Sequence, residues 1–227
     1  MAAILPVCVT IDVSQSMSVN GGIDAVNACL PDLRQYILDD PIAGEIGRIG
    51  VVCFNGVAAP AMPLTDVSLV EFPHLTAEGG TSYGAALRAT RTFIEDSLRS
   101  MGTHTQFYTP LVFFLTDGMP QDSVSEWGPE ADLLKSGNYR ANVFCFGFDD
   151  ADPELLRRIG TTFLAKETDP VAAVRKAFTA IIGSLRSTSS SVQNGGGARV
   201  GFERSIMDDF DIFAGLPLDV SSNLSRV

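Results

Sequence analysis

Basic side chains are scarce in this chain. Its 16 Lys and Arg face 27 Asp and Glu, a formal net charge of −11 with an isoelectric point near 4.5. Nucleic acids and anionic membranes are thereby disfavoured as partners, because clustered positive charge drives both associations. Proteins are the expected partners. Histidine is nearly missing: His74 and His104 stand alone, in no pattern that suggests zinc or a catalytic base. The four cysteines, Cys8, Cys29, Cys53 and Cys145, form no Cys-x-x-Cys pair. Three of them fall in apolar runs, so buried reduced thiols are expected rather than disulfides. No apolar segment approaches the roughly 20 residues of a membrane span. The N-terminus also lacks the basic and apolar regions of a secretory signal, and a cytoplasmic location is the expectation. Without a Gly-Lys-Ser/Thr phosphate loop, nucleotide binding loses its clearest signature.

What is present is a core. With 227 residues, 45% of them hydrophobic, the chain can bury one α/β domain and leave a tail. Strand-length apolar runs recur at Val7–Ile11, Ile49–Phe54, Leu111–Leu115 and Val143–Phe148, with a short last strand at Thr162–Ala165. Helical stripes run from Ile23 to Leu38 and from Ala85 to Leu98. Shorter helices are predicted at Leu133–Ser136 and Pro153–Ile159, and a longer one at Asp169–Leu185, which opens on an Asp-Pro start signal. Val57–Leu64 follows Phe54 too closely for a parallel crossover and carries Pro60 and Pro63, so it reads as an antiparallel edge strand. The alternation predicts a three-layer, doubly wound, Rossmann-like α/β fold: a mainly parallel sheet, one antiparallel edge strand, and helices on both faces. Residues 1–186 form the expected domain, and 187–201, rich in Ser and Gly, the expected linker. Residues 202–227 form an acidic and hydrophobic tail, whose expected fates are a loose end or docking onto its own domain or a partner.

The first strand ends in Asp12-Val13-Ser14-Gln15-Ser16. One carboxylate followed at two-residue steps by two hydroxyls can hold a hard cation through oxygens alone. Asp117, in Leu115-Thr116-Asp117-Gly118, ends another strand. In a doubly wound sheet, the two meet if their strands are neighbours at the point where the winding reverses. Thr81, in the glycine-rich loop Glu78-Gly79-Gly80-Thr81-Ser82-Tyr83-Gly84 that opens a helix, can project into the same crevice. Taken singly, these motifs are often helix caps and turns. Their joint order favours a metal site.

These residues closely resemble the von Willebrand factor A domain family with its metal-ion-dependent adhesion site. Asp12, Ser14 and Ser16 match the family's Asp-x-Ser-x-Ser motif, Thr81 its loop threonine and Asp117 its second aspartate. The resemblance covers about Pro6 to Leu185. Within the family, Thr116–Asp122, Trp127 and the Gly79–Gly84 loop look most like bacterial tellurium-resistance proteins of the TerY type. The resemblance implies a divalent cation, magnesium first with manganese and calcium as alternatives, coordinated directly by Ser14, Ser16 and Thr81. Asp12 and Asp117 would act through waters or hydrogen bonds, and a partner's Asp or Glu would complete the shell. It further implies a stress or metal response, alongside other tellurium-resistance proteins or a kinase and phosphatase pair.

Two other readings stand beside it. One is a scaffold that docks or self-associates through its tail, with a structural metal and Asp208, Asp209 and Asp211 as carboxylates offered to a site. The other is a metal-dependent phosphotransferase with Asp12 as nucleophile. That chemistry expects a second aspartate at the position of Ser14, so a non-enzymatic binding module is expected. Ser187–Ser191 would be an accessible phosphorylation tract, although flexible linkers are commonly Ser-rich without modification.

Overall fold

The computed structural model describes residues 3–102 and 104–214. Seven strands form one sheet in the order β3-β2-β1-β4-β5-β6-β7. β1 (Leu5–Asp12), β2 (Gly47–Phe54), β4 (Leu111–Thr116), β5 (Asn142–Gly147) and β6 (Thr161–Ala165) run parallel. β3 (Ala58–Thr65) is antiparallel to β2, as predicted. Pro60 and Pro63 are tolerated there because β3 is an edge strand, with β2 as its one neighbour among the described residues.

The central strands are buried on both faces, and the period of two divides their side chains between two cores. Val7, Val9 and Ile11 of β1, with Leu111, Phe113 and Leu115 of β4, face α2 (Gly22–Asp39) and α7 (Pro170–Gln193). Cys8, Val112 and Phe114 face α4 (Tyr83–Ser100), α5 (Val124–Leu134) and α6 (Pro153–Ile159). The short helices α1 (Gln15–Val19) and α3 (Pro41–Ile46) flank α2.

Three expectations change. The helix predicted at Leu133–Ser136 is the end of α5, which begins at Val124. Its start is fixed by Glu126, whose carboxylate accepts from the Ser123 N–H at 2.7 Å; Pro129 inside the helix disguised it as a break. The expected linker is helical as far as Gln193. Thr188 and Ser189 are buried there, and the Thr188 hydroxyl donates to the Ser184 carbonyl at 2.8 Å. Back-bonding of this kind lets small hydroxyl residues sit inside a packed helix, so the expected tract is helical, with Thr188 and Ser189 buried, Ser187 and Ser191 half-buried and Ser190 exposed. The chain then turns through Gly195 and Gly197, both at positive φ, and buries Ala198 and Val200.

The tail, as far as residue 214, docks onto its own domain. After α8 (Arg204–Met207), β7 (Phe210–Phe213) pairs antiparallel with β6 and adds a second antiparallel edge. Phe210 is buried against Phe146 and Phe163, with Phe202 stacked beside them. Asp209 and Asp211 are held by Lys176 at 3.0 Å and Lys166 at 3.7 Å, at the β7 edge of the sheet rather than at the motif that ends the central strand β1. The rest of the expected tail lies outside the described residues.

Candidate metal centre

From β1 the chain winds outward through β2 to β3, then returns to place β4 on the other side of β1. The reversal leaves a crevice beyond the carboxyl ends of β1 and β4. Ile11 pairs with Leu115, so Asp12 and the Thr116-Asp117 step leave the sheet side by side. Four of the five predicted site residues form one hydrogen-bonded chain in this crevice. Asp12 Oδ1 accepts from the Ser14 N–H at 2.8 Å, the Ser14 and Ser16 hydroxyls are 3.0 Å apart, and the Ser16 hydroxyl donates to Asp117 Oδ1 at 2.8 Å.

Thr81, the fifth, is buried on the facing loop. That loop is strapped to the first motif: the Glu78 N–H donates to the Val13 carbonyl at 2.8 Å and the Gln15 N–H to the Gly79 carbonyl at 3.0 Å. The Gln121 N–H donates to the Thr81 carbonyl at 2.8 Å. The three loops are therefore tied backbone to backbone around the crevice.

Several supporting residues carried no role in the sequence reading. The Thr116 hydroxyl donates to Asp12 Oδ2 at 2.6 Å, so both oxygens of Asp12 are occupied. Asn20 Nδ2 donates to Asp117 Oδ2 at 2.8 Å and to Asp149 Oδ2 at 3.1 Å. Asp122 accepts from the Ser82 hydroxyl and from the Tyr83 and Gly84 N–H groups at 2.7–3.0 Å, so a carboxylate from the β4–α5 loop holds the first turn of α4. A Cβ at Gly84 would stand 2.8 Å from that carboxylate, which accounts for a glycine there. Tyr83 donates from its hydroxyl to the Gly118 carbonyl at 2.8 Å, and its ring packs on Phe54, Phe114 and Trp127. Thr116, Asp122 and Trp127 lie in the segment that resembles TerY-type proteins; Asn20 and Asp149 had no sequence signal, because a long-range hydrogen bond leaves no periodicity.

Gly80-Thr81-Ser82-Tyr83-Gly84 also spells Gly-x-Ser-x-Gly, the nucleophile-elbow pattern, which the motif reading missed. Its context differs from an elbow. The preceding residues are extended loop rather than strand, and Ser82 caps α4 by accepting from the Ala85 N–H at 3.1 Å while donating to Asp122. Its hydroxyl contacts an acid where a triad needs a histidine.

Electrostatically the crevice is unbalanced. Asp12 has no exposed surface and Asp117 is 1% exposed, yet among the described residues no Lys or Arg pairs with either. Burial pushes the Asp12 carboxyl up to about 6, against the opposing hydrogen bonds from Ser14 and Thr116, with the charge of Asp117 adding to the rise. Asp117 is also raised, first by burial and further by Asp149. Two desolvated carboxylates served only by neutral donors are stabilised by a cation between them. The donor atoms suit a small hard cation. Adjacent oxygens of an octahedron with metal–oxygen distances of about 2.1 Å stand about 3 Å apart, the spacing seen along Ser14, Ser16 and Asp117. No group of three His, Cys, Asp or Glu side chains converges among the described residues, since most of these oxygens are hydroxyls.

An open, mostly parallel sheet wound outward and back, with helices on both faces, defines a doubly wound α/β domain. The chain belongs to the von Willebrand factor type A domain family, whose model matches residues 7–181. Domains of this family generally mediate metal-dependent protein–protein interactions. Among solved structures, a von Willebrand factor type A protein from Catenulispora acidiphila is similar with a TM-score of 0.61 at 17% identity, over 82% of this chain and 43% of that one. Proximal thread matrix protein 1 from the mussel byssus, with a zinc-occupied site of the metal-ion-dependent adhesion type, has a TM-score of 0.60 at 18% identity, over 81% and 48%. The open conformation of the pilus adhesin SpaC from Lactobacillus rhamnosus GG gives 0.61 at 14% identity, over 81% and 30%. The chain thus matches less than half the length of each of these proteins. No curated protein matches it.

Proposed function

We propose that Asp12, Ser14, Ser16, Thr81 and Asp117 hold one divalent cation, magnesium with manganese or calcium as alternatives, and that the protein recruits a partner through an Asp or Glu that completes the ion's shell. The observation that carries this reading is the pair of buried carboxylates without a basic partner, joined by two hydroxyls at octahedral spacing. A bound ion supplies an electrophilic position open to an oxygen ligand. Ser14, Ser16 and Thr81 offer it neutral oxygens, which leaves its charge largely unquenched. Asp12 and Asp117 orient those hydroxyls and supply the counter-charge. Thr116 and Asn20 hold the two carboxylates in place. The zinc-occupied site of the mussel byssus protein supports a cation at this point of the fold.

The same geometry supports binding rather than catalysis. Asp12 is fully buried and both its oxygens accept hydrogen bonds, an arrangement that holds a carboxylate rather than presenting it as an attacking nucleophile. The setting we propose is a bacterial tellurium-resistance-like stress or metal response, with related resistance proteins or a kinase and phosphatase pair as neighbours; it rests on the loops around Asp117 and Thr81. The four unpaired cysteines suit a reducing, cytoplasmic compartment. Among the described residues, no helix is long and apolar enough to cross a membrane.

Magnesium titration by calorimetry tests the reading, followed by affinity capture with magnesium and with chelator. Wild type should bind one equivalent of magnesium and capture partners only in its presence, while Asp12→Ala and Thr81→Ala should lose both properties and keep their circular dichroism spectrum. Identical captured proteins under all conditions would show that recruitment does not pass through a metal.

A further inference from the structure

The carboxyl end of the sheet is acidic without relief. Five of its loops, residues 12–22 after β1, 54–58 between β2 and β3, 76–82 before α4, 117–123 after β4 and 148–152 after β5, contain no Lys, Arg or His. Asp149 and Asp150 are exposed at the rim of the crevice, and Glu78 is exposed on the loop strapped to Val13. Asp149 is fixed beside the site: it shares the Asn20 amide with Asp117 and sits at φ 54°, a left-handed conformation that Asp and Asn tolerate better than most residues. The Asp150 N–H donates to the Asp117 carbonyl at 3.0 Å. The two lysines beyond the carboxyl end of β6 give no compensation, because Lys166 pairs with Asp211 and Lys176 with Glu167 and Asp209.

Apolar side chains share this end of the molecule. Val19, at the end of α1, is 81% exposed, and Met119, just past Asp117, is 55% exposed. Exposed apolar side chains within a charged rim are the composition of a protein-contact surface. A bare carboxylate arriving here meets like charge within a Debye length of about 8–10 Å. A base beside it turns that repulsion into attraction, which is how rim charges select partners.

We infer that the partner segment carries, next to the carboxylate that completes the ion's shell, a lysine or arginine that pairs with Asp149 and Asp150 and an apolar side chain that packs on Val19 and Met119. This rests on the metal-dependent recruitment proposed above. It adds to that reading which acidic segments are accepted and which are refused.

A display library of random dodecapeptides, selected on the full chain in magnesium and eluted with EDTA, provides the test. The expected peptides carry Asp or Glu with Lys or Arg a few positions away and a neighbouring apolar residue. In a synthetic peptide of that pattern, changing the acid to its amide should abolish binding. Changing the base to Gln should weaken it about three- to tenfold, the range of a rim charge pair. Measured at saturating magnesium, Asp150→Asn should weaken the base-containing peptide by the same factor and leave its Gln version unchanged; Asp149→Asn, which keeps both the left-handed backbone and the acceptor for Asn20, should weaken the base-containing peptide more than its Gln version. Equal enrichment of acidic peptides without a base, or a base effect that survives both substitutions, overturns this inference and leaves metal-dependent recruitment standing. Recovery of no EDTA-eluted peptide counts against recruitment itself, and this inference falls with it.

Discussion

The two acidic regions of this molecule solve the same charge problem in opposite ways. Where β7 joins the sheet, Asp209, Asp211 and Glu167 meet Lys166 and Lys176 within salt-bridge distance, in partly exposed positions. At the β1–β4 crevice, Asp12 and Asp117 are buried, and the groups that serve them are hydroxyls, an amide and a backbone N–H. The tail edge is electrostatically complete within the chain. The crevice holds no basic side chain among the described residues, and that difference is what the proposed cation site rests on, more than acid content.

If the tail edge is structural, its stability should come from apolar burial. Phe210 is 3% exposed, with ring centroids 5.6 Å from Phe146 and 6.0 Å from Phe163. Phe210→Ala should cost on the order of 3–4 kcal/mol in urea denaturation, the usual loss for a buried aromatic. Magnesium affinity, measured by calorimetry, should be unchanged. A loss of magnesium binding would mean that the two regions are coupled and that the contrast between them is false.

The sequence disclosed the crevice better than it disclosed the tail edge, for a physical reason. Strands buried on both faces read as unbroken apolar runs, so β1, β2, β4 and β5 were legible to within two residues at either end. The ends of those runs then placed Asp12 and Asp117, while the outward-and-back winding entered only as a condition, which the strand order meets. Four of the five residues proposed for the site form one hydrogen-bonded chain; each motif is local, and only their meeting is long-range. Asn20 and Asp149 were unreadable as supports, since a contact between side chains so far apart in the chain has no signature in their neighbours. The tail failed differently. Ser187–Ser191 has the composition of a linker, and only packing against the domain, with the Thr188 hydroxyl bonded back to Ser184, makes it helix. β7 is four residues long and owes its strand conformation to the open edge of β6, a tertiary cause that propensity does not register.

The crevice should also betray its unbalanced charge through pH. Asp12 is raised from an ordinary value near 3.8 to about 6, so the folded protein without metal favours the protonated carboxyl. Its contribution is therefore most favourable below the unfolded value, and stability falls as pH climbs from about 4 through about 6. A shift of this size corresponds to on the order of 2–3 kcal/mol. Chelated protein should be more stable to urea at pH 5 than at pH 7.5 by roughly half that amount, since at pH 5 the unfolded carboxyl is already ionised, and saturating magnesium should remove the difference, because a cation stabilises the ionised form. Equal stability at both pH values in chelator would show that hydrogen bonds alone satisfy the site.

The smallest expected effect lies at the tail edge. Lys176 is raised by its hydrogen bond to Asp209 and by the charges of Asp209 and Glu167, and it touches both acids, at 3.0 Å and 3.5 Å. The pair is nevertheless in contact with water, where solvent screens the attraction and ordering a long side chain offsets much of what remains. Lys176→Met keeps an unbranched stem of similar length and deletes the charge. Its melting temperature should be indistinguishable from wild type at physiological salt, and magnesium affinity should again be unaltered. A clear destabilisation that disappears at high salt would show that these charges, rather than Phe210 and the β6–β7 ladder, fasten the tail. The two acidic regions would then differ only in whether the chain or the solvent supplies the cation.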